Sequence, residues 1–402
     1  MKQHHSPDCL PAAEPLISVG IMTAPEIRYE FHGHYTESTL ADGSRLHTPA
    51  TAHDRFTLHN VVIGKEFHWQ RTESQTFAGR LKITGTPGNL TAINIVALEE
   101  YLKSVISSEM SANASANLLQ AHAIVSRSWL LAMLARKGGK DINRIDITSA
   151  IPETTAWHDR AEHTLFDVCA DDHCQRYQGV TRQTSPAVAS AIEATRGQVL
   201  TYGGEICDAR FSKCCGGITE EYEACWDNTP HPYLVSLADR LRGAATDFCD
   251  TADAALIGQV LNSYDREDTD FYRWQTTLRA ATLPQLLLRK TGIDFGHVRA
   301  ITPLTRGKSG RITRLLIEGD RHSHIIGKEL EIRLALSESC LRSSAFEVEA
   351  LAGGDFRLTG RGWGHGVGMC QIGAAVMGAR GYTPHQILSH YFPNAEITRL
   401  YR

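Results

Sequence analysis

The segment His163-Thr-Leu-Phe-Asp-Val-Cys169-Ala-Asp-Asp-His173-Cys174 places two imidazoles and two thiols within twelve residues. Two thiolates and two imidazoles can occupy all four corners of a tetrahedral zinc site. With His163, Cys169, His173 and Cys174 as ligands, no corner is left for a metal-bound water. Such an ion is structural and does not catalyse. Cys169 and His173 lie four residues apart, so one turn joins them, while adjacent His173 and Cys174 need a bent backbone. The spacing departs from the zinc-finger patterns, and a Cys169–Cys174 disulfide beside two surface histidines is the competing reading.

A second chemical feature lies near the C-terminus, in Gly360-Arg-Gly-Trp363-Gly-His365-Gly-Val-Gly-Met-Cys370-Gln371. Glycine at alternate positions strips one face of a strand-like segment and permits backbone angles that other residues avoid. That suits close approach by another chain or a long ligand, and equally a tight packing corner. Trp363 offers a flat face to sugar rings, and His365 can bond hydroxyls. Gln371 binds substrate or caps the helix that follows. A cysteine nucleophile (Cys214, Cys215 or Cys370) with His365 as its base is a further reading, without an evident orienting acid.

A third feature is Glu109, at the end of a helical run and followed by the small residues Ser111-Ala-Asn-Ala-Ser. A carboxyl placed so can face an open cleft, and partial desolvation lets it hold a proton near neutral pH. Glu99 and Glu100 read as solvated positions on other faces of the same helix.

These groups must be held by a mixed set of elements. Short apolar runs such as Val61-Val-Ile and Leu81-Lys-Ile-Thr-Gly predict a β-rich segment from Leu16 to about Ile95. Leu98, Leu102, Val105 and Ile106 recur at helical spacing, and a second helix is expected from Ala116 to Leu134, with Asn113 and Ser115 as cap candidates and Gly138-Gly139 as its stop. Further helices are expected over Ala187–Thr195, Ala254–Tyr264, Leu283–Thr291, Gln371–Ala379 and Pro384–Tyr391. Strands are expected from Gly197 and throughout His297–Val348, around a turn at Lys308-Ser-Gly-Arg. Strands and helices do not alternate regularly, so the class is α+β and not a doubly wound sheet.

The chain has 402 residues, 42% hydrophobic and 21% charged, with formal net charge −4. That balance gives no general attraction to nucleic acid or anionic membrane. No apolar run reads as a membrane span. Met1 to Pro15 lacks the continuous apolar stretch of a secretory signal. Ten cysteines are many for such a chain. Cys207, Cys214, Cys215 and Cys225 cluster in sequence, pointing to metal or reactivity in a reducing compartment and to disulfides in an oxidising one.

The glycine string resembles the C-terminal signature of the SpoIID/LytB family of bacterial cell-wall proteins. Leu98-Glu-Glu-Tyr-Leu-Lys-Ser-Val-Ile-Ser-Ser-Glu109-Met110 and Gln120-Ala-His-Ala-Ile-Val-Ser-Arg127-Ser-Trp129 resemble the family's helical motifs, in the same order. The resemblance implies lytic transglycosylation of peptidoglycan, with Glu109 as general acid and then base. Arg127 would orient Glu109 or hold substrate oxygens. Zinc at His163, Cys169, His173 and Cys174 is also implied. Ser212, Lys213, Trp363, His365 and Gln371 would line the glycan site. Where the family has a Ser/Thr-rich run before Gly-Gly, this chain has Lys213-Cys214-Cys215, and Cys370 stands where the family generally has Ser. Enhancement of a partner amidase, without catalysis, is the other family role. The implied organisation is a flexible tail (1–15), a β-rich segment (16–95) and a catalytic region (96–402). The last divides into a helical part (96–134), a zinc and cysteine part (158–226), a β-rich part (297–348) and the glycine motif (356–402), all around a long cleft.

Overall fold

A computed structural model describes residues 13–64, 70–111, 114–136, 144–146, 151–155, 163–171, 173–183, 185–260 and 270–402. The fold is α+β, as the irregular order of elements requires. Eight α-helices lie among the described residues: α1 (Leu98–Glu109), α2 (Ala116–Ala135), α3 (Pro186–Ala194), α4 (Ala254–Ile257), α5 (Leu283–Thr291), α6 (Glu329–Ala335), α7 (Gln371–Ala379) and α8 (Pro384–Tyr391).

Two apolar cores organise them. The larger joins the N-terminal strands to α1, α2, α3, α7 and α8. Its widest sheet runs in the order Val168–Cys169, Leu16–Ala24, Asn89–Ala97, Arg80–Thr86, Arg45–Pro49, Tyr35–Thr39. Its central strands are covered on both faces, with Val19–Ile21 and Thr91–Asn94 buried in succession, whereas the edge strand Tyr35–Thr39 has no buried residue. The second core is built by residues 274–358, around the strands Val298–Arg306, Ile312–Gly319 and Ser323–Gly327 and the helices α5 and α6.

Helix α2 is the central strut. Ser115 caps it, its side chain accepting from the Leu118 amide at 3.3 Å. Fifteen of its twenty residues are buried. It is the one helix among the described residues long and apolar enough to cross a membrane, contrary to the expectation that no run is, but it is packed inside the larger core.

Two expectations need correction. The segment from His297 to Val348 is not all strand, because Glu329–Ala335 is helical. Leu330, Ile332 and Leu334 alternate as in a strand, yet Glu329, Ile332 and Ala335 are the buried positions, three apart, which is helical spacing. The middle of the glycine motif is not strand-like either. Only its ends are strand, Gly360-Arg361 in Phe356–Arg361 and the short strand Met369–Cys370, while between them Gly362, Gly364, Gly366 and Gly368 have φ of 76°, 92°, 76° and 72°. The left-handed region accepts glycine with little penalty. These glycines also admit the chain's own atoms: a Cβ on Gly366 would collide with the Arg311 guanidinium, and one on Gly368 with the Arg210 carbonyl. The motif is thus a packing corner against residues 210–215. Asn113, Gly138-Gly139, residues 261–264 of the expected helix from Ala254, and residues 1–12 lie outside the described residues.

Candidate active site and metal centre

Glu109 is the last residue of α1 and is half-buried. The chain turns there into α2, and hydrogen bonds fix that turn. The Ser111 amide donates to the Gln259 carbonyl at 2.9 Å, and the Ser115 amide to Gln259 Oε1 at 3.1 Å. Beside Gln259, the Val260 carbonyl accepts from Lys213 Nζ at 2.7 Å. Lys213 directly precedes Cys214, which is paired with Trp363 through two backbone hydrogen bonds of 3.0 and 2.7 Å. The Gln259–Val260 segment therefore links the Glu109 turn to Lys213 and, through Cys214, to the glycine motif.

The other expected residues are placed as follows. Ser212 is buried, in a short strand paired in parallel with Met369–Cys370, and its Oγ has no partner among the described residues. Trp363 is half-buried against Phe271, with ring centroids 5.0 Å apart. His365 is half-buried edge-on to Trp226 at 4.9 Å, and its Nδ1 accepts from the Val367 amide at 3.0 Å. The Arg210 guanidinium lies 3.9 Å from the Trp226 ring centroid, and Tyr222 stacks on the same ring at 5.0 Å. Gln371 is buried, with Nε2 3.0 Å from His122 Nε2.

His122 was not among the expected residues. It is buried beside Phe211. Burial first, and the Lys213 charge second, lower its pKa from 6.5 to about 3. The folded protein therefore keeps it neutral while the unfolded chain protonates it near 6.5. Its contribution to stability is complete above that pH and is lost as pH falls toward about 3. In urea titrations the midpoint is expected to drop less between about pH 7 and about pH 5 in His122→Gln than in the parent. An equal drop in both proteins would contradict this placement.

Two readings of charged groups are corrected. Glu99 is not solvated but buried, at 3% exposure. Arg127 is fully buried and forms a two-pronged pair with Glu99, Nε to Oε1 at 3.0 Å and Nη2 to Oε2 at 2.6 Å. Its Nη1 donates to the Gln198 carbonyl at 2.9 Å. Glu99 also accepts from the Tyr401 hydroxyl at 2.7 Å and the Gly197 amide at 3.2 Å. Arg127 thereby ties α1, α2, the strand Gln198–Tyr202 and the C-terminus together inside the core. The thiol-nucleophile reading fails for a related reason: Cys214, Cys215 and Cys370 are all buried, with no face open to attack a glycan.

The His/Cys segment is set on the widest sheet. The strand Val168–Cys169 pairs in parallel with Val19 and Gly20. Gly20 lacks a Cβ where the Phe166 ring lies, and Asp167 accepts from the Ser18 hydroxyl at 2.7 Å. So anchored, the donor atoms of His163, Cys169, His173 and Cys174 all lie within 4.8 Å of one another. Cys174 Sγ is 3.4 Å from His163 Nε2 and 3.7 Å from His173 Nδ1. A tetrahedral zinc with ordinary bond lengths sets S···N edges of about 3.6 Å. Hydrogen bonding from Cys174, and then from His163 and His173, holds the Cys169 thiol far below its usual range. These residues fit a four-coordinate zinc.

A long cleft is not outlined by the described residues. A cavity of about 570 Å³ lies elsewhere, lined by Glu153, Glu221, Glu223, Asn228, Arg314 and Lys328 and not by Glu109, Trp363 or His365. Arg311, expected only as part of a turn, is fully buried under the glycine motif and donates to the Gly364 carbonyl at 2.9 Å through Nη2.

Two stretches of the sequence match known family models. Residues 86–202 match the model described as Stage II sporulation protein, and residues 220–368 match a domain of unknown function, DUF8618. The chain carries a domain of the SpoIID family, and both helical motifs quoted above fall within it. Among its relatives is Stage II sporulation protein D of Bacillus subtilis (strain 168), 24% identical over 308 residues, 76% of each chain. An uncharacterized protein of Brachyspira hyodysenteriae is 25% identical over 321 residues, 80% of this chain and 72% of that one. The amidase enhancer of Bacillus subtilis is 24% identical over 320 residues, 74% of this chain and 40% of the enhancer.

Proposed function

We propose that the chain acts on the bacterial cell wall and cleaves glycan strands of peptidoglycan by lytic transglycosylation, with Glu109 as the acid and base. The observation that carries this reading is the position of Glu109: half-buried, at the end of α1, in a turn hydrogen-bonded to the segment that also holds Lys213. Protonated Glu109 gives its proton to the glycosidic oxygen as the bond from the muramic acid C1 to that oxygen breaks. The 6-hydroxyl oxygen of the same sugar bonds to C1, and its proton passes to the Glu109 carboxylate. The carboxyl is restored, a 1,6-anhydro ring closes and no water is consumed. The substrate supplies its own nucleophile, so the paired carboxylates of ordinary glycosidases are not needed. Trp363, His365 and Lys213 would contact the sugars, and Ser212 and Gln371 would support them from beneath.

A second reading, enhancement of a separate amidase, is favoured by the similarity to the amidase enhancer. Incubating the protein alone with peptide-free glycan strands separates the two. Strand shortening without any amidase supports the first; shortening of none, with faster peptide release by an added amidase, supports the second.

His163, Cys169, His173 and Cys174 would hold a structural zinc. Its role is to pin the loop onto the sheet through Cys169, since four protein ligands leave no site for a reacting water. Removing it with a strong chelator is expected to lower the melting temperature by several degrees without changing the bond cleaved. An unchanged melting curve after complete metal removal would contradict this role.

A further inference from the structure

We propose that Cys215, Asp239, Cys249 and Cys370 form a second, fully buried zinc site beneath the glycine motif. The proposal does not rest on the glycan-cleavage reading. The three sulfurs and a carboxylate oxygen of Asp239 all lie within 4.8 Å of one another. All four side chains are at most 2% exposed. Cys215 Sγ and Cys249 Sγ are 3.7 Å apart, too far for a disulfide, whereas two thiolates on one tetrahedral zinc sit about 3.8 Å apart.

The partners of these groups suit bound thiolates. Cys370 is the N-cap of α7, and its Sγ accepts from the Cys215 amide at 3.3 Å and the Gly373 amide at 3.4 Å. Asp239 accepts from the Tyr391 hydroxyl at 2.6 Å and the Cys249 amide at 2.9 Å. Those donors are neutral, and no Lys or Arg pairs with Asp239 among the described residues. A buried carboxylate is normally paired with a cation or bound to a metal. A divalent ion answers that need, and three soft sulfurs beside one oxygen select zinc over magnesium or calcium. The Cys214 thiol also neighbours those of Cys249 and Cys370. Asp239 is the stronger fourth ligand because its oxygen reaches all three sulfurs and needs the charge.

The ligands come from three separate stretches of chain. Cys215 follows the strand Phe211–Ser212, Asp239 and Cys249 bracket a loop, and Cys370 joins its strand to α7. A metal there would cross-link the wall that carries Trp363 and Lys213 from behind. Binding displaces the thiol protons to solvent and leaves no open coordination position, so the ion is structural.

The test is a metal count on the full-length protein, made with reductant in zinc-supplemented culture. The double variant H173A/C174S empties the outer cluster and leaves the buried one intact. It is expected to retain one zinc per chain, and its cobalt-substituted form should show thiolate-to-metal charge-transfer absorption. Cys249→Ser should carry one zinc fewer than the parent. The proposal is overturned if H173A/C174S holds no zinc, if Cys249→Ser leaves the count unchanged, or if peptide mapping of unreduced H173A/C174S finds a disulfide among Cys215, Cys249 and Cys370. Should Cys249→Ser be insoluble, the count on H173A/C174S decides alone.

Discussion

Glu109→Gln is expected to reduce glycan-strand cleavage by roughly 10²- to 10⁴-fold, the range set by losing general acid–base catalysis. The amide keeps the shape of the side chain but can neither deliver the proton to the leaving oxygen nor collect one from the 6-hydroxyl. Both half-steps use the same group, so the loss falls on kcat and not on binding. The side chain is half-buried at a helix end, outside the apolar core. The melting temperature should therefore move by no more than a few degrees. Retained cleavage in a folded Glu109→Gln protein would remove the residue from the mechanism.

Arg127→Met should do the opposite. The guanidinium and the Glu99 carboxylate are 0% and 4% exposed, and their pairing is surrounded by apolar residues of α1 and α2. Removing one partner strands a buried charge, at a cost of about 3–5 kcal/mol. Arg127→Lys recovers only part of this, because an ammonium cannot bond both carboxylate oxygens in the same plane. Denaturant titrations of the two variants give the cost directly. The folded fraction is expected to cleave strands at close to the parent rate. A large loss of rate at unchanged stability would instead return Arg127 to the active site.

Local information was legible in the sequence and long-range pairing was not. Ser115 announces the start of α2 through its own hydroxyl, and Gly292, with φ 73°, closes α5 where a left-handed residue is needed. The outer His/Cys set lies within twelve residues and is visible as spacing alone. The inner set is scattered from Cys215 to Cys370, and Asp239 looks like any surface acid until the fold seals it. Arg127 shows the same limit: its helix was foreseen, but its partner Glu99 is 28 residues away and its third contact, the Gln198 carbonyl, 71 away. The glycine motif was recognised as unusual, yet its left-handed angles depend on Arg210 and Arg311 filling the space that side chains would take.

The central claim concerns a proton shuttled by one carboxyl without water. Mass analysis of the fragments released from peptide-free glycan strands by the parent protein tests it most directly. The account predicts muramyl ends lighter by one water than a reducing end, the mark of a 1,6-anhydro ring, and none from Glu109→Gln. Fragments with ordinary reducing ends, or intact strands from the active parent, would contradict it.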